Sequence, residues 1–145
     1  MAILMSVRHK DGSVSMATDS SSGVSGIRKG NNLRLCNNIL IGWAGVGRFG
    51  NIMEHLIPEL EFPKESQAAY RYLCTTWVDK YLNALGRHQA LGRDSSLPTI
   101  TGTVHIAYLG MLLEIGEDAS VLNSQNDIIY AGNGTESASL SYSTI

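Results

Sequence analysis

The sequence is short of charge, of cysteine and of long apolar runs, and each shortage excludes a class of protein. Charged residues make up 17% of the 145 residues, whereas roughly 25% is usual in soluble domains. The formal net charge is −2, which lacks the basic field that a nucleic-acid-binding protein needs. We therefore expect no nucleic-acid partner. The low charge also leaves neutral surface of the kind that partner subunits cover.

Cysteine occurs only at Cys36 and Cys74. Two thiols are too few for a disulfide framework or a tetrahedral cysteine zinc site, so we expect two buried, free thiols in a reducing compartment. No apolar run approaches the roughly 20 residues that a membrane helix needs, and no secretory signal peptide opens the chain. These absences predict a cytoplasmic protein with no membrane partner.

Metal and phosphate motifs are also missing. The histidines, His9, His55, His88 and His105, are scattered and no pair has the spacing of metal ligands. The glycines from Gly42 to Gly50 lack the Lys-Ser/Thr of a phosphate-binding loop and predict a strand-to-helix turn instead. We expect no metal and no other cofactor.

The pattern of apolar residues and turns predicts an α+β fold, and the length predicts a single domain over residues 1–145. Turn signals at Asp11-Gly12 and Asn37-Asn38 divide the first part into two hairpins, with a Ser/Gly-rich loop over Ser20 to Gly26. Apolar residues then recur at helical spacing. The predicted strands before the helices are Ile3 to Arg8, Val14 to Asp19, Leu33 to Leu35, and Ile39 to Gly45, which reads as buried on both faces.

Two helices follow, and then strands return. The first helix carries Phe49, Ile52, Met53 and Leu56 on one face and ends by Pro58. The second begins near Glu65 or Ser66 and ends at Gly86 or Gly92, with a loop from Gly92 to Pro98. Its predicted core face consists of Ala69, Leu73, Trp77, Tyr81 and Leu85. The later predicted strands are Ile100 to Leu109, Met111 to Ile115, Ser120 to Leu122 and Ile128 to Gly132. This order predicts two stacked sheets with a helical pair on one side.

Four segments of the chain are similar to a known set of motifs. They are Lys10 to Ser20, similar to "DGVVLAADS"; Gly42 to Gly45, similar to "AGxAG"; Leu113 to Ser120, similar to "YEIDPDGS"; and Asp127 to Gly134, similar to "AIGSG". Through these segments the chain resembles the proteasome β-subunit and bacterial HslV peptidase family. The resemblance covers nearly the whole chain, and the motifs occur in the family's order.

The resemblance implies an N-terminal-nucleophile (Ntn) hydrolase fold, normally four-layered. In active members the hydroxyl of an N-terminal Thr attacks the peptide carbonyl and its own α-amino group is the base. A Lys, an Asp and a Ser support that centre. Residue by residue, the family Asp corresponds to Asp19, the nucleophile position to Ala2 and the Ser to Asn133. The Lys position falls near Asn31, with Lys29 two residues away.

These correspondences leave two functions open. Alanine has no attacking atom, so one hypothesis is an inactive structural subunit in which Asp19 and Lys29 are vestigial. The alternative is a threonine-type endopeptidase whose nucleophile has been replaced by Ala2. The same residues also have simpler interpretations. Asp19 is an ordinary turn residue, Lys29 belongs to a solvated basic pair, and Asn133 begins a turn.

Family members continue with two further helices and more strands, which cover the second sheet. Here a mostly polar stretch of 11 residues follows Gly134, so we expect a reduced fold with one sheet face open. Open apolar faces and edges are liabilities unless another chain covers them. The expected partners are copies of the same chain in a closed homo-oligomer, and other proteins of a larger assembly, within a viral particle if the origin is a phage.

Overall fold

The computed structural model describes residues 3–18, 21–22, 26–27, 32–36, 38–45, 47–94 and 97–132. The strands in chain order are β1 (Ile3–Arg8), β2 (Val14–Thr18), β3 (Ser21–Ser22), β4 (Gly26–Ile27), β5 (Leu33–Cys36), β6 (Ile39–Gly45), β7 (Leu91–Asp94), β8 (Leu97–Ile100), β9 (Gly102–Tyr108), β10 (Met111–Ile115), β11 (Val121–Asn123) and β12 (Ile128–Gly132). The helices are α1 (Arg48–His55), α2 (Ser66–Tyr72) and α3 (Val78–Arg87), with a π-helical turn over Leu73–Trp77 between α2 and α3.

The architecture is the predicted one, with two antiparallel sheets stacked on each other and helices on one side. The larger sheet has five strands in the order β11-β10-β9-β6-β5, and the smaller has three in the order β12-β1-β2. The pairs β3-β4 and β7-β8 form separate two-stranded ribbons. The helices pack on the outer face of the five-stranded sheet, where α1 contacts β6. Helix α3 also contacts β7 of the neighbouring ribbon.

The central strands β6 and β9 are buried on both faces, and their alternating side chains serve two different layers. Ile41, Trp43, Val104 and Ile106 face the helices and belong to the large core cluster. The residues between them in the strands, including Gly42, face the three-stranded sheet. The predicted two-sided burial of Ile39 to Gly45 is therefore confirmed.

The second helix buries every member of its predicted core face. Ala69, Leu73, Trp77, Tyr81 and Leu85 are all fully buried. Residues four apart on a regular α-helix advance roughly 40° per step, so five of them would drift by roughly 160° around the axis. The π-helical turn has more residues per turn and reverses part of this drift. It thereby keeps all five side chains against the sheet.

Trp77 and Tyr81 form the aromatic centre of this layer. Their rings stack with centroids 5.2 Å apart, and Trp77 Nε1 donates a hydrogen bond to the carbonyl oxygen of Pro58 at 3.2 Å. Burial raises the pKa of the Tyr81 phenol far above its ordinary value, so the hydroxyl stays neutral. The loop after α1 is thus fastened to the second helix.

Two predicted loops contain short strands instead. The range Ser20 to Gly26 contains β3 and the first residue of β4, and the range Gly92 to Pro98 belongs to the β7-β8 hairpin. Glycine, serine and proline usually indicate turns, which is why loops were predicted here. Both strands of a two-stranded ribbon are edge strands, however, and an edge strand accepts Pro98 because the missing N–H can face away from the partner strand. Leu56, predicted on the first core face, lies just beyond α1 and is exposed. None of the described helices is long and apolar enough to cross a membrane.

We expect Trp77→Ala to lower the free energy of unfolding by about 3–5 kcal/mol, because it empties a fully buried aromatic site. Chemical denaturation followed by circular dichroism measures the change. Leu97→Ala is the matched control, since Leu97 is 60% exposed, and its effect should stay within about 0.5 kcal/mol. Equal effects of the two variants would contradict this placement of the helix face.

Candidate functional site

Three strand ends lie together at one end of the smaller sheet. β1 begins at Ile3, which pairs with Gly132 at the end of β12. Its neighbour Leu4 pairs with Thr18 at the end of β2. The antiparallel pairing therefore brings the start of β1 and the ends of β2 and β12 to the same place. We call this place the strand-end site.

Three of the residues predicted to have catalytic roles directly adjoin these strand ends in the sequence. Ala2 precedes Ile3, Asp19 follows Thr18, and Asn133 follows Gly132. Ala2, Asp19, Asn133 and Lys29 all lie outside the described residues. Their roles stay predictions, and the described strands fix only the points from which three of them continue.

The five-stranded sheet contributes the opposite wall of the strand-end site. Leu4 packs against Ala44 of β6 and Ala131 of β12 in a small apolar cluster. Immediately beyond β6, α1 begins with Gly47 as its N-cap at φ 57°, a left-handed conformation that glycine adopts without strain. No side chain caps this helix end. Backbone N–H groups at a helix N-terminus favour negative charge, as an oxyanion would require.

Phe49 fixes the position of α1 on the sheet. Its ring lies over Gly45 and Gly102, which pair across β6 and β9. A Cβ atom built on either glycine would overlap the ring, so the sheet needs glycine at both positions to accept Phe49. The close approach sets where the N-terminus of α1 stands relative to the strand ends.

We expect Gly102→Ala to destabilise the fold by about 1–3 kcal/mol, because the new methyl group must displace the Phe49 ring. Gly50→Ala in α1 is the matched control. A Cβ at Gly50 meets no atom within 4 Å, so this variant should gain about 0.5–1 kcal/mol from helix propensity. Thermal and urea unfolding measure both. A neutral Gly102→Ala would show that Phe49 does not position α1.

A second polar group, which the sequence did not reveal, lies between the two sheets. Ser6 on β1 and His105 on β9 are both fully buried, and Ser6 Oγ is 2.7 Å from His105 Nδ1. The other ring nitrogen, Nε2, lies 3.2 Å from Glu114 Oε2 on β10. Strand alternation could have located His105, because it lies between Val104 and Ile106, which face the helices, and must therefore face the smaller sheet. Substrate has no access to a fully buried hydroxyl, so we assign this group no catalytic role.

A groove runs between α2 and the β11 edge of the larger sheet. Tyr70 donates a hydrogen bond to the carbonyl oxygen of Val121 at 3.2 Å and so covers part of that edge. Contact with the Cys74 thiol, together with burial, raises the pKa of Tyr70. Cys74 is exposed and Cys36 is half-buried, so the prediction of two buried thiols is wrong, although both are free. Cys74 is exposed because it lies on the outer side of the π-helical turn.

Within the described ranges, no group of three or more His, Cys, Asp or Glu side chains is arranged to hold a metal ion.

Several solved structures share this arrangement of sheets and helices. Thiobacillus denitrificans BPH superposes with a TM-score of 0.74 at 18% sequence identity, covering 98% of this chain and 77% of that chain. The same protein in complex with epoxomicin gives a TM-score of 0.73 at 17% identity, covering 98% and 78%. Eukaryotic HslV from Trypanosoma brucei gives 0.57 at 17% identity, covering 99% and 78%. No protein-family model and no curated protein sequence matches the chain.

The chain thus has an Ntn-hydrolase-like fold. More particularly, it has the fold of the proteasome β-subunit and HslV group, and the resemblance predicted from the four motifs is confirmed at the level of the fold. At these identities the likeness describes the architecture, and the activity has to be argued from the residues of this chain.

Proposed function

We propose that the protein is a cytoplasmic, HslV-like subunit that has no peptidase activity and assembles with copies of itself. The observation that carries the proposal is the residue before β1. Counting back along the sequence from the Asp11-Gly12 turn, as the resemblance implies, gives Ala2 as the residue in the nucleophile position. A methyl side chain offers no oxygen or sulfur for attack on a carbonyl.

Two other positions support the loss of chemistry. Asn133 stands where the family has a Ser that orients the terminal amine, and Lys29 is two residues from the expected Lys position. Of the four roles, Asp19 alone is clearly kept. Natural loss of function explains several changed positions together, whereas a deliberate inactivation changes one.

The alternative is a threonine-type endopeptidase in which only Ala2 departs from the active form. The kept Asp19 and the shared edge of β1, β2 and β12 favour it. The two hypotheses differ in what happens when a threonine is restored at position 2, so one experiment separates them.

We expect the protein to hydrolyse no fluorogenic peptide and to form no covalent adduct with an epoxyketone or a β-lactone. The loss of a nucleophile typically costs several orders of magnitude in rate. Intact-mass spectrometry after incubation with epoxomicin measures the adduct. A stoichiometric adduct at the N-terminal residue would overturn the proposal.

The informative variant is Ala2→Thr with Met1 removed, and Ala2→Val is its control of nearly equal size without the hydroxyl. An inactive Ala2→Thr supports natural loss of the whole centre. Robust cleavage by Ala2→Thr but not by Ala2→Val would establish the endopeptidase alternative.

Assembly is supported by apolar surface on the smaller sheet. Leu4 and Ser6 face the larger sheet, so the alternate residues of β1, Met5 and Val7, point outward, beside Tyr130 and Ile128 of β12. No described helix packs on this outward face. Elsewhere, Leu35 on the edge strand β5 is 72% exposed. Contiguous apolar surface of this kind is typical of contact with another chain.

We expect multi-angle light scattering at micromolar concentration to give a mass well above the 15.7 kDa of one chain. Met5→Lys should lower that mass toward the monomer, because it places a charge in the outward face. Leu97→Lys, on the β7-β8 ribbon, should leave the mass unchanged. A monomer at every dilution would contradict self-assembly without bearing on the absence of peptidase activity.

A further inference from the structure

The smaller sheet leaves part of the larger sheet uncovered. It has three strands against five, and these lie toward one side, where β2 contacts β5, β1 contacts β6, and β12 contacts β6 and β9. Strands β10 and β11 continue beyond β12. The molecule therefore has a step on this side, with the edge of β12 as its wall and one face of β10 and β11 as its floor. We call it the β12 step.

Strand alternation identifies the residues on the floor of the β12 step. Leu113 and Ile115 of β10 belong to the helix-side core. Their neighbours Leu112 and Glu114 therefore face the other way, toward the smaller sheet. Leu122 of β11 pairs with Glu114 and shares its face. Leu112 is fully buried, whereas Leu122 is 59% exposed, so the cover ends over these strands and leaves an apolar residue on the floor.

The wall of the β12 step is an edge strand with unused backbone groups. The Arg8 N–H donates a hydrogen bond to the carbonyl oxygen of Asp127 at 2.7 Å, which sets the alternation along β12. Ile128 and Tyr130 therefore direct their N–H and C=O groups away from β1. Among the described residues, no hydrogen bond uses these outward groups. Such an edge is a template for another strand.

The outer edges of the larger sheet do not combine these features. At β11, Tyr70 donates a hydrogen bond to the carbonyl oxygen of Val121, and the Gln125 side chain donates one to that of Asn123 at 3.4 Å. On the opposite side β2 contacts the edge strand β5, so the two sheets end close together and leave no floor. Of the edges described in the two stacked sheets, β12 thus joins open backbone groups to an apolar floor.

The sequence after β12 has the pattern of a strand that fits the β12 step. Residues 133–145 lie outside the described part of the chain, and their sequence is NGTESASLSYSTI. Asn-Gly, at 133–134, is the favoured pair for a two-residue turn between hairpin strands. From position 137 to 143 serine occupies every second position, and Ala138, Leu140 and Tyr142 lie between the serines. This alternation is typical of a strand with one apolar face.

We propose that residues 135–142 bind in the β12 step as a fourth strand of the smaller sheet. A two-residue turn pairs position 135 with Gly132, and so pairs Ser137 with Tyr130 and Ser139 with Ile128. Tyr130 and Ile128 are the positions at which β12 directs its backbone groups outward. The proposal depends neither on the loss of peptidase activity nor on self-assembly.

The same register puts the apolar residues of the segment on the floor. Ile129 pairs with the fully buried Ser6 and so faces the larger sheet. Ala138 is opposite Ile129, and Leu140 follows on the same face, toward Leu122. Neighbouring strands are about 4.8 Å apart, so one added strand extends the cover from β12 outward. A slip of one residue would turn the serines onto the floor. The turn and the alternation therefore specify one register independently.

Hydrogen exchange resolved to single amides tests the added strand on the full chain. We expect the amides of Ile128 and Tyr130 to be protected. Ala138→Asp should lower that protection at least about tenfold, because it puts a carboxylate on the floor beside Glu114. The matched control is Ser139→Asp, whose carboxylate lies on the outer face, and its effect should stay below about twofold. Equal effects, or unprotected amides in the unmodified chain, would overturn the proposal.

A disulfide trap tests the register separately. The variant combines Ile129→Cys with Ala138→Cys in a chain whose two native thiols are replaced by serine. The new thiols lie at directly opposite, non-hydrogen-bonded positions, where Cα atoms are about 4.5 Å apart and a disulfide can form. We expect nearly complete bridging within one chain under mild oxidation, measured by peptide mass mapping without reduction.

The control for the trap is Ile129→Cys with Ser139→Cys, which puts the thiols on opposite faces and should stay reduced. Equal bridging by both variants would show that the segment has no fixed register on β12. A disulfide between two chains would overturn the proposal in a different way, because the β12 step would then be occupied by a second copy.

Discussion

The fold depends on two central strands, β6 and β9, which pack against the helices on one face and against the smaller sheet on the other. Toward the helices they present large side chains such as Trp43 and Ile106, and toward the smaller sheet they present small ones such as Gly42. A Cβ at Gly42 would come within 2.9 Å of both Leu4 Cδ1 and Met16 Sδ. The small residue is therefore what allows the two sheets to approach, while most of the buried apolar residues lie between the larger sheet and the helices.

The start of β1 and the start of α1 are held in place by different contacts. The start of β1 is held by its neighbours β2 and β12 and by the contact of Leu4 with Ala44. The start of α1 is held by Phe49 on Gly102. The wall that would bear a nucleophile and the wall that offers backbone N–H groups are thus positioned by different contacts, and the seam between the sheets sets their separation.

Local periodicity was sufficient to predict the hairpins, both helices and the stacking order, because the alternation of β1 and the spacing from Ala69 to Leu85 follow directly from burial on one face. Interactions between distant parts of the chain were not accessible in this way. Ser6 and His105 are 99 positions apart, and only the stacking of the sheets brings them together. The exposure of Cys74 likewise depends on a π-helical turn, which the sequence pattern did not predict. At the strand-end site, the resemblance supplied the candidate roles, and the register supplied the common edge.

The described fold is held together by burial, and its fully buried side chains are aromatic and aliphatic ones such as Trp43, Phe49 and Leu4. Fold and activity are separate properties of such a scaffold, since one architecture can carry different chemistry or none. An alanine at position 2 offers no attacking oxygen. The likeness in architecture therefore explains the packing of this chain, whereas its chemistry depends on the individual residues at the strand ends.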